Sequence, residues 1–480
     1  MERFTGKDLI DLGFEPGPDF GPLLTELNKT LTACADRSDE EANTCLKAVL
    51  DAHVERKRLA AQARAEKLVP LRASPIEVIY NIEAESDDEV ANVAGVRAAM
   101  EALALTPTLE RAAVMPDACP AGSIPVGGVA GARKALHPSW HSADIACSMM
   151  ATNLGAVDPK AALDAGFDLA HFGPGGRPRH AEAAMPGDLL EKLQGGNPFL
   201  DSRKLQDQAR SHLMTCGDGN HFCYVGRSEA TGEVWLVTHF GSRGFGAQLY
   251  KAGVEVAERY RQDLCPEIDK GHAWIPFDTE DGANYWDALQ IVRDWTKANH
   301  TLLHDKITQT LNAEIRHRRW NEHNFVFRDE DDVFWHAKGA TPVDDPLLPD
   351  TDGTQIVPLN MAQPILFIEG DRNDRNLGFA PHGAGRNLSR TQHKSRMEGE
   401  SDEAIFVRET AGIDARFHCG VIDISELPSA YKDAEKTQGE MERFGLARVV
   451  DRIQPYGAIM AGDIDANAPW RRKKNQKRKS

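Results

Sequence analysis

The stretch from Pro381 to Arg390, PHGAGRNLSR, places one histidine, two glycines and two arginines close together. Its glycines, Gly383 and Gly385, remove side-chain bulk, so the backbone can approach a ligand closely. Arg386 and Arg390 carry planar, permanent charges that match phosphate oxygens, and a helical turn would place both on one face. With His382 beside them, the stretch predicts a nucleophilic histidine in a site for phosphoryl or nucleotidyl transfer. By itself it also fits a glycine turn that leads into a basic helix.

The composition indicates a globular protein without membrane spans or a disulfide framework. The chain has 480 residues, of which 27% are charged and 41% hydrophobic, as is typical of a globular protein with a large core. No apolar run reaches about 18 residues, so no membrane span is expected. The N-terminus lacks the apolar segment of a signal peptide, which predicts a cytoplasmic protein. The eight cysteines form no CxxC pair, so neither a disulfide framework nor a zinc ribbon is indicated.

The net charge of −17 argues against non-specific coating of nucleic acid. Any RNA binding should therefore use a local basic pocket inside an acidic body. The last ten residues, 471–480, run against this average because most of them are Lys or Arg. They fit either a solvated tail or a salt-sensitive tether to phosphates.

The patterning predicts a helical N-terminal extension over residues 1–68, where leucines recur at helical spacing and a second helix covers about 40–65. From about residue 69 to 465, strands, helices and glycine loops alternate irregularly, which predicts one large α+β catalytic domain. Within it, long helices are expected over about 247–264 and 286–317. Residues 466–480 form the basic tail.

Several short motifs in this domain carry residue types that bind metals or phosphates. Asp144 and Cys147 are a carboxylate and a thiolate three residues apart, and a thiolate sulfur can bridge two metal ions. A glycine turn presents Asn220 and His221, and a predicted buried strand over 234–238 ends at His239. Taken singly, each of these motifs also fits a buried, hydrogen-bonded side chain without a ligand.

Taken in order, the motifs resemble those of the RtcB-type RNA-splicing ligases from about residue 70 to 462. The matching segments are the DIGCGM-like loop at Asp144–Met149, GNHF at Gly219–Phe222, HxGSRG at His239–Gly244, the pair His323-Asn324, KGA at Lys338–Ala340, HGAGRxxSR at His382–Arg390 and YKD at Tyr431–Asp433. The resemblance implies an enzyme that uses GTP and two manganese ions. It would join RNA ends bearing a 2′,3′-cyclic phosphate or 3′-phosphate to 5′-hydroxyl ends of tRNA halves or damaged RNA, with an activating protein factor as a further partner.

The resemblance also implies roles for individual residues. The metal ligands would be Asp144, Cys147, His221, His239 and His323, with the Cys147 thiolate shared between the ions. This donor set suits manganese, while zinc, cobalt or iron would fit the same geometry. His382 would be guanylylated by GTP. The remaining nucleotide contacts would come from Asn220, Arg243, Lys338, Arg386, Arg390 and Tyr431.

The sequence departs from the family pattern at positions expected around the metal loop and the guanine base. Ala146 and Ser148 replace glycines of the metal loop, and Cys119 replaces a histidine. Tyr224 stands where a glutamate is usual, Ala461 stands where a guanine-contacting lysine is usual, and the segment before His382 is short. Three functions therefore stay open: a sealing RNA ligase, an enzyme that processes RNA ends without sealing them, and a protein that binds RNA ends without turnover.

Overall fold

The computed structural model describes residues 3–348 and 351–464 and divides into two compact units. One unit comprises the residues up to Val69 together with Asp263–Pro266. Its helices are α1 (Gly6–Asp11), α2 (Phe20–Ala33) and α3 (Asp39–Lys67). A small core of Leu9, Leu23, Leu27 and Leu46 holds them together, as the leucine spacing requires.

The start of α3 is fixed by a reciprocal cap. The Ser38 side chain accepts a hydrogen bond from the backbone N–H of Glu41, whose carboxylate accepts one from the backbone N–H of Ser38. Two of the unpaired N–H groups at the helix start are satisfied in this way. The basic tail predicted at 466–480 lies outside the described residues.

The other unit, Pro70–Gln262 with the chain from Glu267 onward, holds the β-sheets. The remaining helices are α4 (Asp87–Leu103), α5 (Pro159–Leu169), α6 (Gly187–Gln194), α7 (Arg203–Ser211), α8 (Arg243–Leu264), α9 (Glu280–Thr310), α10 (Arg390–Arg396), α11 (Asp402–Glu409) and α12 (Ala434–Arg443). The strands are β1 (Val78–Tyr80), β2 (Leu109–Cys119), β3 (Val126–Arg133), β4 (Ala135–Leu136), β5 (Ser148–Gly155), β6 (Phe222–Ser228), β7 (Val234–Phe240), β8 (Ile275–Pro276), β9 (His317–Glu322), β10 (Asn324–Arg328), β11 (Val333–Lys338), β12 (Ala340–Pro342), β13 (Gln355–Val357), β14 (Ile365–Glu369), β15 (Phe379–Pro381), β16 (Asp414–Phe417) and β17 (Arg448–Met460). Among the described residues, no helix is both long and apolar enough to cross a membrane.

The larger sheet runs in the order β13-β14-β17-β6-β7-β5-β9, with β16 beside β17. Strands β5 and β7 are buried along their whole length, in keeping with their mostly apolar sequences. The antiparallel register places His239 opposite both Phe222 and Met149, and Ser148 opposite Glu322. Residues next to these positions therefore meet at one end of the sheet.

The second sheet has the order β1-β2-β3-β11-β10. Its β2–β3 ladder is interrupted, because Val114 pairs with Gly128 but the next pair is Cys119 with Val126. Residues 115–118 form the extra length on β2. Gly127, opposite this bulge, has a φ of 76°, and a Cβ there would crowd the backbone of Ala118. Such bulges re-aim side chains, and this one carries Asp117.

The structure corrects two details expected from the sequence. The helix predicted to reach His317 ends at Thr310, and Asn312 turns the chain with a φ of 48°. His317 instead begins β9, because pairing with β5 takes precedence over local helical preference. Arg386 also lies outside any helix, since α10 begins at Arg390 with Ser389 as its cap. The two arginines therefore do not share a helical face.

Candidate metal centre and nucleotide pocket

One thiol and several imidazoles converge where β5, β6 and β7 meet. The Cys147 sulfur lies 3.5 Å from Nε2 of His221 and 3.2 Å from Nε2 of His239. These three buried side chains form a group able to hold a metal ion. His323 adds a third imidazole, with its Nε2 3.2 Å from that of His239, and Asp144 Oδ2 lies 3.2 Å from Nε2 of His221. All five predicted metal ligands are therefore brought together.

Outer hydrogen bonds aim these ligands at the centre. Nδ1 of His221 lies 2.8 Å from the carbonyl oxygen of Cys216, and Nδ1 of His239 lies 3.1 Å from that of Asn220. A proton on each Nδ1 is donated to the carbonyl, so the Nε2 lone pair faces inward. Asp144 is held by the backbone N–H of Ser242, which donates to Oδ1 at 3.0 Å.

The electrostatics of the cluster favour a cation. Burial lowers the pKa values of His239 and His323 well below the usual range, so both imidazoles are neutral and able to act as ligands. Burial, followed by the charge of Asp144, raises the pKa of the Cys147 thiol. Burial acts to raise the pKa of Asp144, but its contact with His221 and the charge of Arg243 outweigh burial and lower it.

The donor set fits a divalent metal ion. Nε2 of His239 lies 3.2 Å from both the Cys147 sulfur and Nε2 of His323, so several donor atoms of metal-ligand type meet at close range around one point. Mixed sulfur, nitrogen and carboxylate donors are those of a borderline transition metal. Nδ1 of His323 is buried and finds no hydrogen-bond partner among the described residues.

His382, the predicted nucleophile, lies beside this centre, with its ring centroid 4.9 Å from that of His323. Its Nδ1 is 2.6 Å from Oδ2 of Asp117, and its backbone N–H donates to the same oxygen at 3.1 Å. None of the sequence motifs pointed to Asp117. The available signal was its position at the end of an apolar strand before a glycine-rich turn.

A cavity of about 430 Å³ joins these groups. The predicted site residues that line it are Asp144, Cys147, Asn220, His239, His323, Lys338, His382, Arg386, Arg390 and Tyr431. His221 is not part of the lining, although it lies beside Cys147. Arg243 is also outside the lining, and its guanidinium donates to the carbonyl oxygen of Gly173 at 2.8 Å.

No sequence motif pointed to Glu426, which binds both arginines of the cavity. Its buried carboxylate accepts from Nη2 of Arg386 at 2.6 Å, Nε of Arg390 at 2.7 Å and the Tyr431 hydroxyl at 2.6 Å. The Arg386 guanidinium also lies over the Tyr431 ring, 4.4 Å from its centroid. Burial, followed by the charge of Glu426, raises the pKa of Tyr431. The Glu426 carboxylate therefore holds the two arginines together, a role that the sequence had predicted for a shared helical face.

Lys338 adds a further positive group to the cavity, beside the two arginines. Its ammonium donates to the carbonyl oxygen of Ile124 at 3.1 Å and also to that of Ala121. Burial lowers the pKa of Lys338 to about 8. The ammonium therefore stays mostly protonated near neutral pH, and an anionic ligand would further favour its charged form.

The positions that depart from the family pattern are accommodated locally. Ala146 adopts a left-handed backbone conformation with a φ of 55°, which normally favours glycine. Tyr224 lines the cavity, but its hydroxyl donates to the carbonyl oxygen of Ile453 at 2.7 Å. Ala461 is fully buried in an apolar cluster with Ile459. One wall of the cavity is thus apolar, formed by Phe222, Tyr224, Met361, Ile365, Ala458 and Met460.

The fold and the cavity define a mixed α/β protein with a candidate metal-dependent site. The chain belongs to the RtcB family, because the family model described as tRNA-splicing ligase RtcB matches residues 179–461. It is 25% identical to a tRNA-splicing ligase RtcB of Archaeoglobus fulgidus, over 72% of this chain and 86% of the relative. It is 27% identical to an RNA-splicing ligase RtcB of Escherichia coli, over 67% of this chain and 84% of the relative.

Proposed function

We propose that this chain is an RNA ligase that joins 2′,3′-cyclic phosphate or 3′-phosphate ends to 5′-hydroxyl ends through a guanylylated His382. Membership of the RtcB family supports the reaction class. The observation that carries the proposal is the convergence of the thiol–imidazole cluster and the His382–Asp117 pair on one cavity. The substrates would be tRNA halves or damaged RNA, with GTP as the activating nucleotide.

The metal ligands in this proposal are Asp144, Cys147, His221, His239 and His323, holding two manganese ions. Bound metal supplies charge neutralisation of phosphate oxygens and orientation for in-line attack. The protein's own contribution is to present these donors in a buried setting that excludes water from most of the cluster.

His382 supplies the nucleophile. Asp117 accepts the Nδ1–H of His382, so the lone pair on Nε2 is available to attack the α-phosphorus of GTP. The N–P bond forms as pyrophosphate leaves, and the nucleotide is stored as a phosphoramidate. A 2′,3′-cyclic phosphate is first opened by water to a 3′-phosphate with a free 2′-hydroxyl. Transfer of the guanylate to the RNA 3′-phosphate releases the imidazole, and attack by the 5′-hydroxyl then expels GMP and forms the phosphodiester.

The two arginines and Lys338 hold phosphate groups in this scheme. Because Glu426 already fixes Arg386 and Arg390, their guanidinium groups need little further ordering when an anion binds. Asn220 and Tyr431 line the same cavity and would contact the nucleotide. Arg243 would act at longer range, through its charge beside Asp144.

The domain assignment forms part of the proposal. Residues 69–465 would be the catalytic domain, 1–68 a helical N-terminal extension and 466–480 a basic flexible tail. An activating protein factor and a cytoplasmic location complete it.

A second candidate is an enzyme that caps or opens RNA ends without sealing them. The altered guanine contacts favour it, because Ala461 is buried and Tyr224 directs its hydroxyl to the backbone. Weakened nucleotide selection would leave end activation possible while slowing the complete cycle.

The test is transfer of label from α-radiolabelled GTP to the purified protein in the presence of manganese. We expect labelling that is lost in His382→Ala and retained in His180→Ala, since His180 is an exposed histidine away from the cavity. RNA with cyclic-phosphate and 5′-hydroxyl ends should then yield sealed product. Capped or opened ends that never join would favour the second candidate. A metal-loaded protein that takes label from no nucleoside triphosphate would overturn the ligase, and one that also leaves cyclic-phosphate ends unopened would overturn both.

A further inference from the structure

Lys432 is a buried lysine outside the cavity lining, with 8% of its surface exposed. Its ammonium donates to the carbonyl oxygen of Pro116 at 3.2 Å and to that of Ala118 at 2.6 Å. These two carbonyls flank Asp117, the residue that holds His382. The Lys432 side chain thus hydrogen-bonds to the backbone on both sides of Asp117.

The fastened backbone is the bulge of β2, which lacks regular pairing with β3 between Val114 and Cys119. A bulge of this length leaves carbonyl groups without ladder partners, and such groups need other donors when they are buried. Lys432 supplies donors for two of them. Its contacts therefore set the path of the backbone from which the Asp117 side chain projects.

The backbone of Lys432 reaches the His382 loop as well. Its N–H donates to the carbonyl oxygen of Gly385 at 3.0 Å. Gly385 has a φ of 72°, and a Cβ there would overlap the carbonyl oxygen of Asp117. The loop of His382, the bulge of Asp117 and Lys432 therefore form one tightly packed joint.

The ammonium of Lys432 also interacts with the buried carboxylate of Asp117 through its charge. Asp117 is fully buried, and its Oδ1 has no hydrogen-bond partner among the described residues. A buried carboxylate is costly unless a positive group compensates it. Burial lowers the pKa of Lys432, while the charge of Asp117 opposes that shift, as expected for two groups that interact. Glu440 and Glu89 also act on the ammonium, from α12 and α4.

We propose that Lys432 is a positioning residue for nucleotide transfer, which holds Asp117 in place so that Asp117 in turn orients His382. The inference rests on the proposed function of His382. It assigns Lys432 an indirect role, because its ammonium bonds to backbone carbonyls and not to groups that line the cavity.

The test compares rates of label transfer from α-radiolabelled GTP in manganese-loaded full-length protein. Lys432→Met removes the charge and both hydrogen bonds, and we expect the rate to fall about 10- to 100-fold, as for other orienting groups around active sites. Lys436→Met is the matched control. Lys436 lies four residues further along and pairs with Glu89 at 2.9 Å and Glu85 at 3.3 Å, without touching the bulge. The rate of label transfer in Lys436→Met should stay within about 2-fold of wild type.

A double-mutant cycle with Asp117→Asn separates positioning from general stability. If Lys432 acts through Asp117, adding Lys432→Met to Asp117→Asn should change the remaining rate less than about 3-fold. A merely structural role would give multiplied effects and would overturn the proposal. So would a Lys432→Met rate equal to that of Lys436→Met.

Folding and the parent proposal are controlled separately. Lys432→Gln keeps an amide donor group without the charge and should give an intermediate rate. If Lys432→Met and Lys432→Gln both lose manganese or unfold, Lys432 is structural and the inference is wrong. If wild-type protein takes no label, the proposed function fails first, whatever the variants do.

Discussion

Individual residues of the cavity are oriented by partners that lie far away in the chain. His382 is held by Asp117, and Arg386 and Arg390 are held by Glu426. In each pair a buried carboxylate fixes a group that faces the cavity. Preorganisation of this kind reduces the ordering needed when a ligand binds.

Cys147 provides the residue-level test of the metal centre. Its sulfur lies within 3.5 Å of two imidazole Nε2 atoms, so Cys147→Ser replaces the soft donor with a shorter, harder one. We expect affinity for manganese to fall by at least about 10- to 100-fold. Metal content per chain after gel filtration, measured by mass spectrometry, checks this.

The control for Cys147→Ser is Cys419→Ser, which changes an exposed thiol. Its metal content should match wild type. Equal metal content in both variants would show that the thiol at 147 is not a ligand.

At the scale of elements, strand ends and tight turns bring the site together. Antiparallel pairing places Cys147, His221, His239 and His323 within one or two positions of one another across β5, β6, β7 and β9. The His382 loop then packs on the β2 bulge through Gly385. Backbone geometry, more than side-chain size, therefore sets the distance between the metal-ligand cluster and His382.

Gly385→Ala tests this close approach. The glycine has a φ of 72°, and an added Cβ would overlap the Asp117 carbonyl oxygen, so the loop or the bulge must move. We expect it to lose about 1–3 kcal/mol more stability than Gly399→Ala, the typical cost of overpacking. Urea unfolding measures the difference.

Gly399 is a matched control because its φ is also positive, at 108°, but an added Cβ would meet open space. Both variants therefore carry backbone strain, but only Gly385→Ala also crowds a neighbouring segment. Label transfer to His382 should also be lost only in Gly385→Ala. Equal stabilities and equal labelling would contradict the packing described.

For the whole molecule, many buried neutral histidines predict sensitivity to acid. Burial lowers the pKa of His141 to about 4 and those of His300 and His336 to about 3. The unfolded chain, with histidine pKa values near 6.5, binds more protons below that pH, so stability falls as pH falls. The loss begins near pH 6.5 and continues down to the folded-state values.

The expected size is about 1.4 kcal/mol for each such histidine between pH 7.5 and 5.5, or roughly 4 kcal/mol for these three. Free energies of unfolding from urea titrations at pH 7.5 and 5.5 measure it. His180→Asn, at an exposed position, should leave the pH dependence unchanged. Stability that stays constant or rises towards pH 5.5 would contradict the prediction.

The motifs of the sequence predicted most of the cavity, because short segments at turns and strand ends carry chemically distinctive side chains. The five predicted metal ligands converge, and His382, Arg386 and Arg390 line the same cavity. Asp117 and Glu426 were missed, because an acidic residue in a strand or loop has no distinguishing local pattern. The end of α9 was misplaced for a similar reason, since pairing of β9 with β5 is a non-local interaction.

The sequence by itself determined which side chains could bind a metal ion and phosphate groups, and it identified the family through their order. Only the tertiary structure decided which carboxylate faces which partner: Asp117 with His382, Glu426 with the arginines, and Lys432 with the bulge. The physical reason is that donor chemistry belongs to single residues. Orientation and burial instead arise from strand register, a bulge and close packing between segments 36 to 316 residues apart.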